Sequence, residues 1–376
     1  MKDRLLNLDA LAEAMERNGL NAAQLSARLG VSREAVSNWL KARSFPRPDK
    51  LLKLALTLSM RFDELVVREA PERTPVVAFR KRGAVKITER HLLHAQEIGR
   101  LLRHLVPFLP FDRFVRPATL KQPSTDYDYL QNLSSQIRRE VGASDHEAID
   151  FPHLIRRFTE LQAVLIPVLW GEKDKHENAL HIFLPDSMTT WVFLNLDVEV
   201  HDFKFWMAHE LGHVLASELR GDVAEDFADA FAGALLFPEQ LTRQAYRRVS
   251  AEVSPGARIN ALKAVADEHL ISPITAYMEM NHYARHRKLP SIDLGKSIFG
   301  AAKNLSKQYH VLSRALFEER KPSPSEYVRL AEQIFATPFF ETLQKYLRAE
   351  RKGPGFVQSV LDIPLLDARE IYAELS

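Results

Sequence analysis

Apolar residues recur at three- and four-residue steps over most of this chain, so its pattern is helical before any motif is considered. Leu25, Leu29, Val31, Val36, Leu40, Leu52 and Leu56 set that rhythm near the start. Gly30 stands where a tight turn is needed, and Ser32 where the next helix needs a cap. A helix is predicted over residues 88 to 107, another from about 127, and a third near 151 to 161. The unbroken apolar run AVLIPVLW (163–170) reads as a buried strand, and ALHIFLPDSMTTWVFLN (179–195) is strand-like. Phe205, Ala208, Gly212 and Leu215 predict an amphipathic helix. AEDFADAFAGALLFPEQ (224–240) predicts a second one, with Gly221 before it and Pro238 after its apolar run. Beyond Pro238 the chain reads as mainly helical. Helices are expected around 297–318, 324–335 and 339–350 and in LLDAREIYAEL near the end, punctuated by prolines. The expected fold class is mainly α (α+β).

The polar positions give the first helices a purpose. Two helices joined by a short Gly-containing turn form a helix-turn-helix, whose second helix can enter the major groove of DNA. Ser32, Arg33, Glu34, Ser37 and Asn38 lie near the start and on the outer face of that second helix. Arg33 can pair with guanine, Asn38 with adenine, and Glu34 can accept from cytosine. Gln24, opening the preceding helix, is placed for a phosphate, and Lys41, Arg43 and Arg47 follow in the loop to hold the backbone. The bland alternative is a helical bundle that only mediates dimerisation.

HELGH, residues 209 to 213, carries the other chemistry. Positions i and i+4 share one helix face, so His209 and His213 can reach a single Zn²⁺. Glu210 projects from nearly the same side and can act as general base on the attacking water. A third ligand must come from elsewhere. Glu225 and Asp229 share a face of the next helix with the small residues Ala228 and Ala232, which permit close approach. Glu225 is the preferred third ligand, with Asp229 orienting a ligating histidine; Glu218, Asp222 and Asp226 compete. His282 and His286 are also four apart but have no carboxylate suitably placed between them, and they read as surface histidines.

These segments carry two resemblances. LSARLGVSREAVSNW and the later LLKLALTLSMRFDEL resemble the Xre/lambda-repressor-like family over roughly residues 8 to 68, which implies a five-helix DNA-binding domain. HELGH followed by Glu225, Ala228, Asp229, Phe231, Ala232, Leu235, Leu236 and Pro238 resembles the ImmA/IrrE family of metallopeptidases over residues 131 to 245. Many members carry Glu directly before the Ala-Asp pair, where this chain has Phe227. That resemblance implies a zincin-like domain with a small sheet and a zinc-dependent endopeptidase that cleaves repressor-type proteins under stress.

Charge and composition fit a two-function chain. The net charge is only +2, yet residues 71 to 122 hold 11 Lys and Arg against 4 Asp and Glu, a local excess of 7. FRKRGAVK (79–86) within them is either a further phosphate contact or a solvated connector. The absence of cysteine excludes disulfides and thiolate ligands, leaving His and carboxylate for metal. The charged first residues lack a signal-peptide core, and no apolar run approaches a membrane span, so the expected address is the cytoplasm. Four segments are expected: a helix-turn-helix domain (1–69), a basic linker and connector helix (70–126), the metallopeptidase domain (127–289) and a helical region without an assigned role (290–376). The expected partners are a double-stranded DNA operator, bound as a homodimer, and a repressor-type substrate, itself or a neighbour. A second reading stays open, in which a repressor or antitoxin-like module uses the same fold for non-catalytic binding, its partner a toxin or other neighbouring gene product.

Overall fold

The computed structural model describes residues 4–41, 44–68, 74–80, 89–111, 119–171, 179–306, 308–318 and 320–376. The chain divides into two units, Met1–Thr74 and Pro75–Ser376. Arg43 and most of the basic stretch 79–86 lie outside the described residues.

In the first unit, α1 (Leu8–Arg17), α2 (Ala22–Leu29), α3 (Arg33–Leu40), α4 (Pro48–Leu58) and α5 (Phe62–Leu65) are enclosed by the paired strands β1 (Arg4–Leu6) and β2 (Val66–Arg68) in the sequence. Local chemistry sets the helix boundaries. Asn21 and Gln24 form a reciprocal capping box at the start of α2. Gly30 takes the left-handed conformation, φ 66°, that ends α2, and Ser32 Oγ accepts from Ala35 N to start α3. Leu25, Leu29, Val36, Trp39, Leu51, Leu54 and Leu58 are buried together. One expectation is corrected. The buried stripe of α4 is Leu51, Leu54, Ala55 and Leu58, whereas Leu52 and Leu56 are 56% and 73% exposed.

The second unit is built on a four-stranded sheet of order β3 (Val76–Arg80), β5 (Ala179–Leu184), β6 (Thr189–Asn195) and β4 (Ala163–Val168). β4 runs parallel to β6, and the other two pairs are antiparallel. The strand-like run 179–195 is thus a hairpin, turning through residues 185–188. The helices are α6 (Glu89–Arg103), α7 (Tyr127–Glu140), α8 (Phe151–Glu160), α9 (Val200–Leu215), α10 (Gly221–Leu236), α11 (Glu239–Ser250), α12 (Pro255–His269), α13 (Pro273–His286), α14 (Ser297–Ser306), α15 (Leu312–Leu316), α16 (Pro324–Phe335), α17 (Phe339–Ala349), α18 (Pro354–Leu361) and α19 (Leu365–Leu375). The span 297–318 holds two helices rather than one, and α18 was not anticipated. Among the described residues no helix is long and apolar enough to cross a membrane.

The C-terminal helices share a core with the sheet. Tyr327 Oη donates to Pro167 O at 2.5 Å, Thr337 Oγ1 donates to Leu165 O, and Trp170 Nε1 donates to Leu361 O at 2.9 Å. The first two satisfy carbonyls of the edge strand β4, which would otherwise invite another strand. Residues 75–80, expected within an exposed basic linker, supply β3 at the opposite edge.

α9 departs from its amphipathic forecast. From His201 to Leu215 every residue except Phe205 is buried, because α9 packs against β5, β6, α8 and α10. It meets α10 where Gly212 faces Ala228; a Cβ on Gly212 would lie 3.0 Å from Ala228 Cα. The far end of α10 is held by α7. Ser134 Oγ donates to Ala234 O at 2.8 Å, and the buried Arg138 guanidinium donates to Leu235 O at 2.6 Å and to Ser144 O and Glu147 O. Burial lowers Arg138 to about 10, partly offset by Asp145, so it remains charged beside the carbonyl end of α10.

Candidate functional site

The α9–α10 contact brings the predicted metal residues together. His209 and His213 face one side of α9, and Glu225 lies on α10 less than one turn before Ala228, the residue that Gly212 meets. His209 Nε2 lies 3.0 Å from His213 Nε2 and 3.4 Å from Glu225 Oε2, while His213 Nε2 lies 3.3 Å from Glu225 Oε1. Tetrahedral zinc holds His and carboxylate donors at roughly 2.0–2.2 Å, which sets the donors about 3.3 Å apart. The three groups, all within 4.8 Å of one another, therefore have the spacing and chemistry to receive such an ion.

Their protonation also suits a cation. Asp229 Oδ1 lies 2.9 Å from His209 Nδ1, and a carboxylate there accepts the Nδ1 proton, leaving a lone pair on Nε2. Burial pushes the Glu225 carboxyl up, but the neighbouring His209 and His213 outweigh it and hold it at about 2. Glu210 is only 1% exposed, next to His209 in the same buried helix. The rival candidates Glu218, Asp222 and Asp226 are exposed.

His181, which the sequence reading missed, joins this neighbourhood from β5. Its ring centroid is 5.7 Å from that of His213, and its buried Nε2 has no hydrogen-bond partner among the described residues. Burial, with His213 beside it, lowers this imidazole well below its ordinary value and keeps it neutral. A histidine inside the otherwise apolar ALHIFL was the available signal. His201 packs its ring against Tyr309, and Tyr283 meets Tyr246 edge-on, at centroid distances of 4.6 and 5.8 Å. His282 pairs with Glu279 at 3.2 Å, and His286 stacks on Tyr127 and reaches Asp128 at 3.1 Å, so these two have structural partners.

In the first unit, Arg33, Glu34 and Lys41 are exposed on and just after α3, with Ser37 and Asn38 half-buried beside them. Ser32 caps α3, and the Gln24 carbonyl oxygen is engaged by Asn21 N, leaving only the Gln24 amide nitrogen for an outside acceptor.

Residues 11–65 match the family model described as helix-turn-helix, and residues 166–266 match that of the IrrE N-terminal-like domain, a peptidase family. No curated protein matches the chain. Among solved structures, the crystal structure of ComR from Streptococcus suis aligns over 98% of this chain and 92% of that one, at 10% identity and a TM-score of 0.15, a likeness too slight to inform the fold.

Proposed function

We propose, from a chain that joins a helix-turn-helix domain to an IrrE N-terminal-like domain, that it is a DNA-binding transcriptional regulator whose second unit is a zinc-dependent endopeptidase. The convergence of His209, His213 and Glu225, with Glu210 buried beside them, carries the reading. Those three side chains would hold Zn²⁺, which when bound supplies Lewis-acid polarisation of a peptide carbonyl and acidifies water. Asp229 fixes the His209 tautomer and ring orientation. Glu210 takes the proton of the attacking water and delivers it to the leaving amine. The substrate is a repressor-type protein, another copy of this chain or a neighbouring regulator, in stress, phage or mobile-element control.

On the DNA side, Arg33, Glu34, Ser37 and Asn38 read bases, while Lys41 and the Gln24 amide contact phosphates. Leu52 and Leu56, exposed on one face of α4, suit contact with a second copy, consistent with a homodimer on a two-fold operator in the cytoplasm. The deciding experiment expresses wild type and Glu210→Gln in the native host, with and without DNA-damaging or phage-like stress. A shortened regulator should accumulate with wild type alone. Identical protein patterns and identical reporter output from both forms would remove the enzyme reading.

A further inference from the structure

β3 pairs with β5 close to the candidate metal residues. It pairs with β5 in the register Val76↔Phe183, Val77↔Ile182, Ala78↔His181, Phe79↔Leu180 and Arg80↔Ala179. Ala78 therefore stands opposite His181, whose ring is 5.7 Å from that of the candidate ligand His213. β3 also packs against α10, the helix that carries Glu225 and Asp229. A single strand thus runs between β5 and the second metal helix. Its entry is fixed by Pro75, which is buried against α6; a Cβ on Gly99 would come within 2.7 Å of Pro75 Cβ.

The sheet ends differently on its two sides, with β4 as one edge and β3, paired to β5, as the other. On β4, side-chain donors from the C-terminal helices cap Pro167 O and Leu165 O. On the other side, β5 is covered by a five-residue strand. An exposed sheet edge binds an extended peptide through its main chain, with little demand on sequence. Among the described residues, the side of β5 nearest the candidate metal residues is filled from within.

We propose that the β5 edge is where the centre receives an extended peptide, and that Val76–Arg80 already occupies it, so this chain's own segment competes with every peptide offered in trans. The proposal rests on reading His209, His213 and Glu225 as a peptidase centre. The resident strand is covalently attached, which gives it an effective concentration on the order of millimolar. A substrate gains access when β3 leaves, or when its own strand outcompetes β3 for β5.

The chain has no cysteine, so one engineered pair gives a clean lock. Val76 and Phe183 are directly opposed, and such pairs have Cα separations of about 4.5–5.5 Å, within disulfide range. Full-length Val76→Cys/Phe183→Cys is prepared on a Glu210→Gln background, so that bound peptide is not cut. A fluorescein-labelled peptide with the sequence of residues 74–84 is titrated by anisotropy. Binding should be at least tenfold weaker in the oxidised form than after reduction. A second protein, Val77→Pro/Ala78→Pro on the same background, removes at least one ladder donor, because alternate residues of a strand point to the same neighbour. It should bind the peptide at least tenfold more tightly than the unlocked parent. Equal affinity in the two redox states overturns the proposal, whatever the proline variant does. Because the readout is binding to a protein that cannot cut, that failure would leave the Glu210-dependent cleavage test standing, and loss of the cleavage reading would leave these affinities as they are.

Discussion

Asp229 Oδ1 accepts a hydrogen bond from His209 Nδ1 at 2.9 Å, and this bond decides which His209 nitrogen faces His213 and Glu225. It spans the α9–α10 contact, so the close approach of those helices and the donor set are one feature. Purified protein should carry about one zinc per chain. His209→Ala, His213→Ala and Glu225→Ala should each lose most of it, while Glu210→Gln, Asp222→Ala and Asp226→Ala keep it. Asp229→Ala should retain the histidines but bind zinc roughly 10–100-fold more weakly. Metal analysis after dialysis against a graded chelator checks all of these. Full retention in Glu225→Ala would end its assignment as a ligand.

Gly212 gives a structural test of the same contact. A methyl there would lie 3.0 Å from Ala228 Cα and 3.2 Å from Phe231 Cδ1, and a backbone atom cannot swing aside. Gly212→Ala should cost about 1–3 kcal/mol, the usual penalty of overpacking, and loosen zinc with it. Gly256→Ala, where nothing lies within 4 Å, should instead be neutral or stabilising by up to about 1 kcal/mol. Urea unfolding of both variants provides the comparison; equal stability would show that the helices are not in this contact.

Arg33 and Asn38 can be separated from Lys41 by salt and sequence. Arg33→Ala and Asn38→Ala should each weaken operator binding by roughly 1–3 kcal/mol and spare random DNA. Lys41→Ala should weaken both and flatten the salt dependence. Leu52→Glu with Leu56→Glu should lower affinity for paired half-sites, spaced about one helical turn apart, but not for a single half-site. Gel-shift titrations at several salt concentrations read each outcome. Equal loss on specific and random DNA for Arg33→Ala would take it out of the base-reading set.

What the sequence disclosed was local. The histidines four apart, Glu225 and Asp229 four apart, and the cap at Ser32 all act within a helical turn or two, where spacing translates directly into geometry. α4 shows the limit of that translation. Its PDKLLKLALTL supports two overlapping apolar stripes, and tertiary burial, not periodicity, selects the one through Leu51, Leu54 and Leu58. His181 and β3 were hidden for a different reason. The first reaches His213 only because the sheet packs on α9, and the second reads as a charged linker until it finds β5, far along the chain. The amphipathic forecast for α9 failed similarly, since a helix covered by both a sheet and other helices needs no polar face.

Lys204 supplies a pH test that is independent of metal and DNA. It is 1% exposed, and its Nζ donates to His269 O at 2.9 Å. Burial lowers its ammonium from the usual 10.5 to about 8, with partial relief from Asp150. The unfolded chain keeps its proton up to the ordinary value, so between about pH 8 and 10.5 the unfolded state binds more protons than the folded one. Stability therefore rises with pH across that window. The shift corresponds to a gain on the order of 3 kcal/mol when the window is fully crossed. Lys204→Met has no proton to lose and should lack this gain, while leaving the His269 carbonyl without its donor. Other groups titrate in the same range, so the informative quantity is the difference between wild type and variant in urea unfolding at about pH 7.5 and 10.5. That difference should shift in favour of wild type as pH rises; parallel curves would mean that Lys204 is not held in a desolvated site.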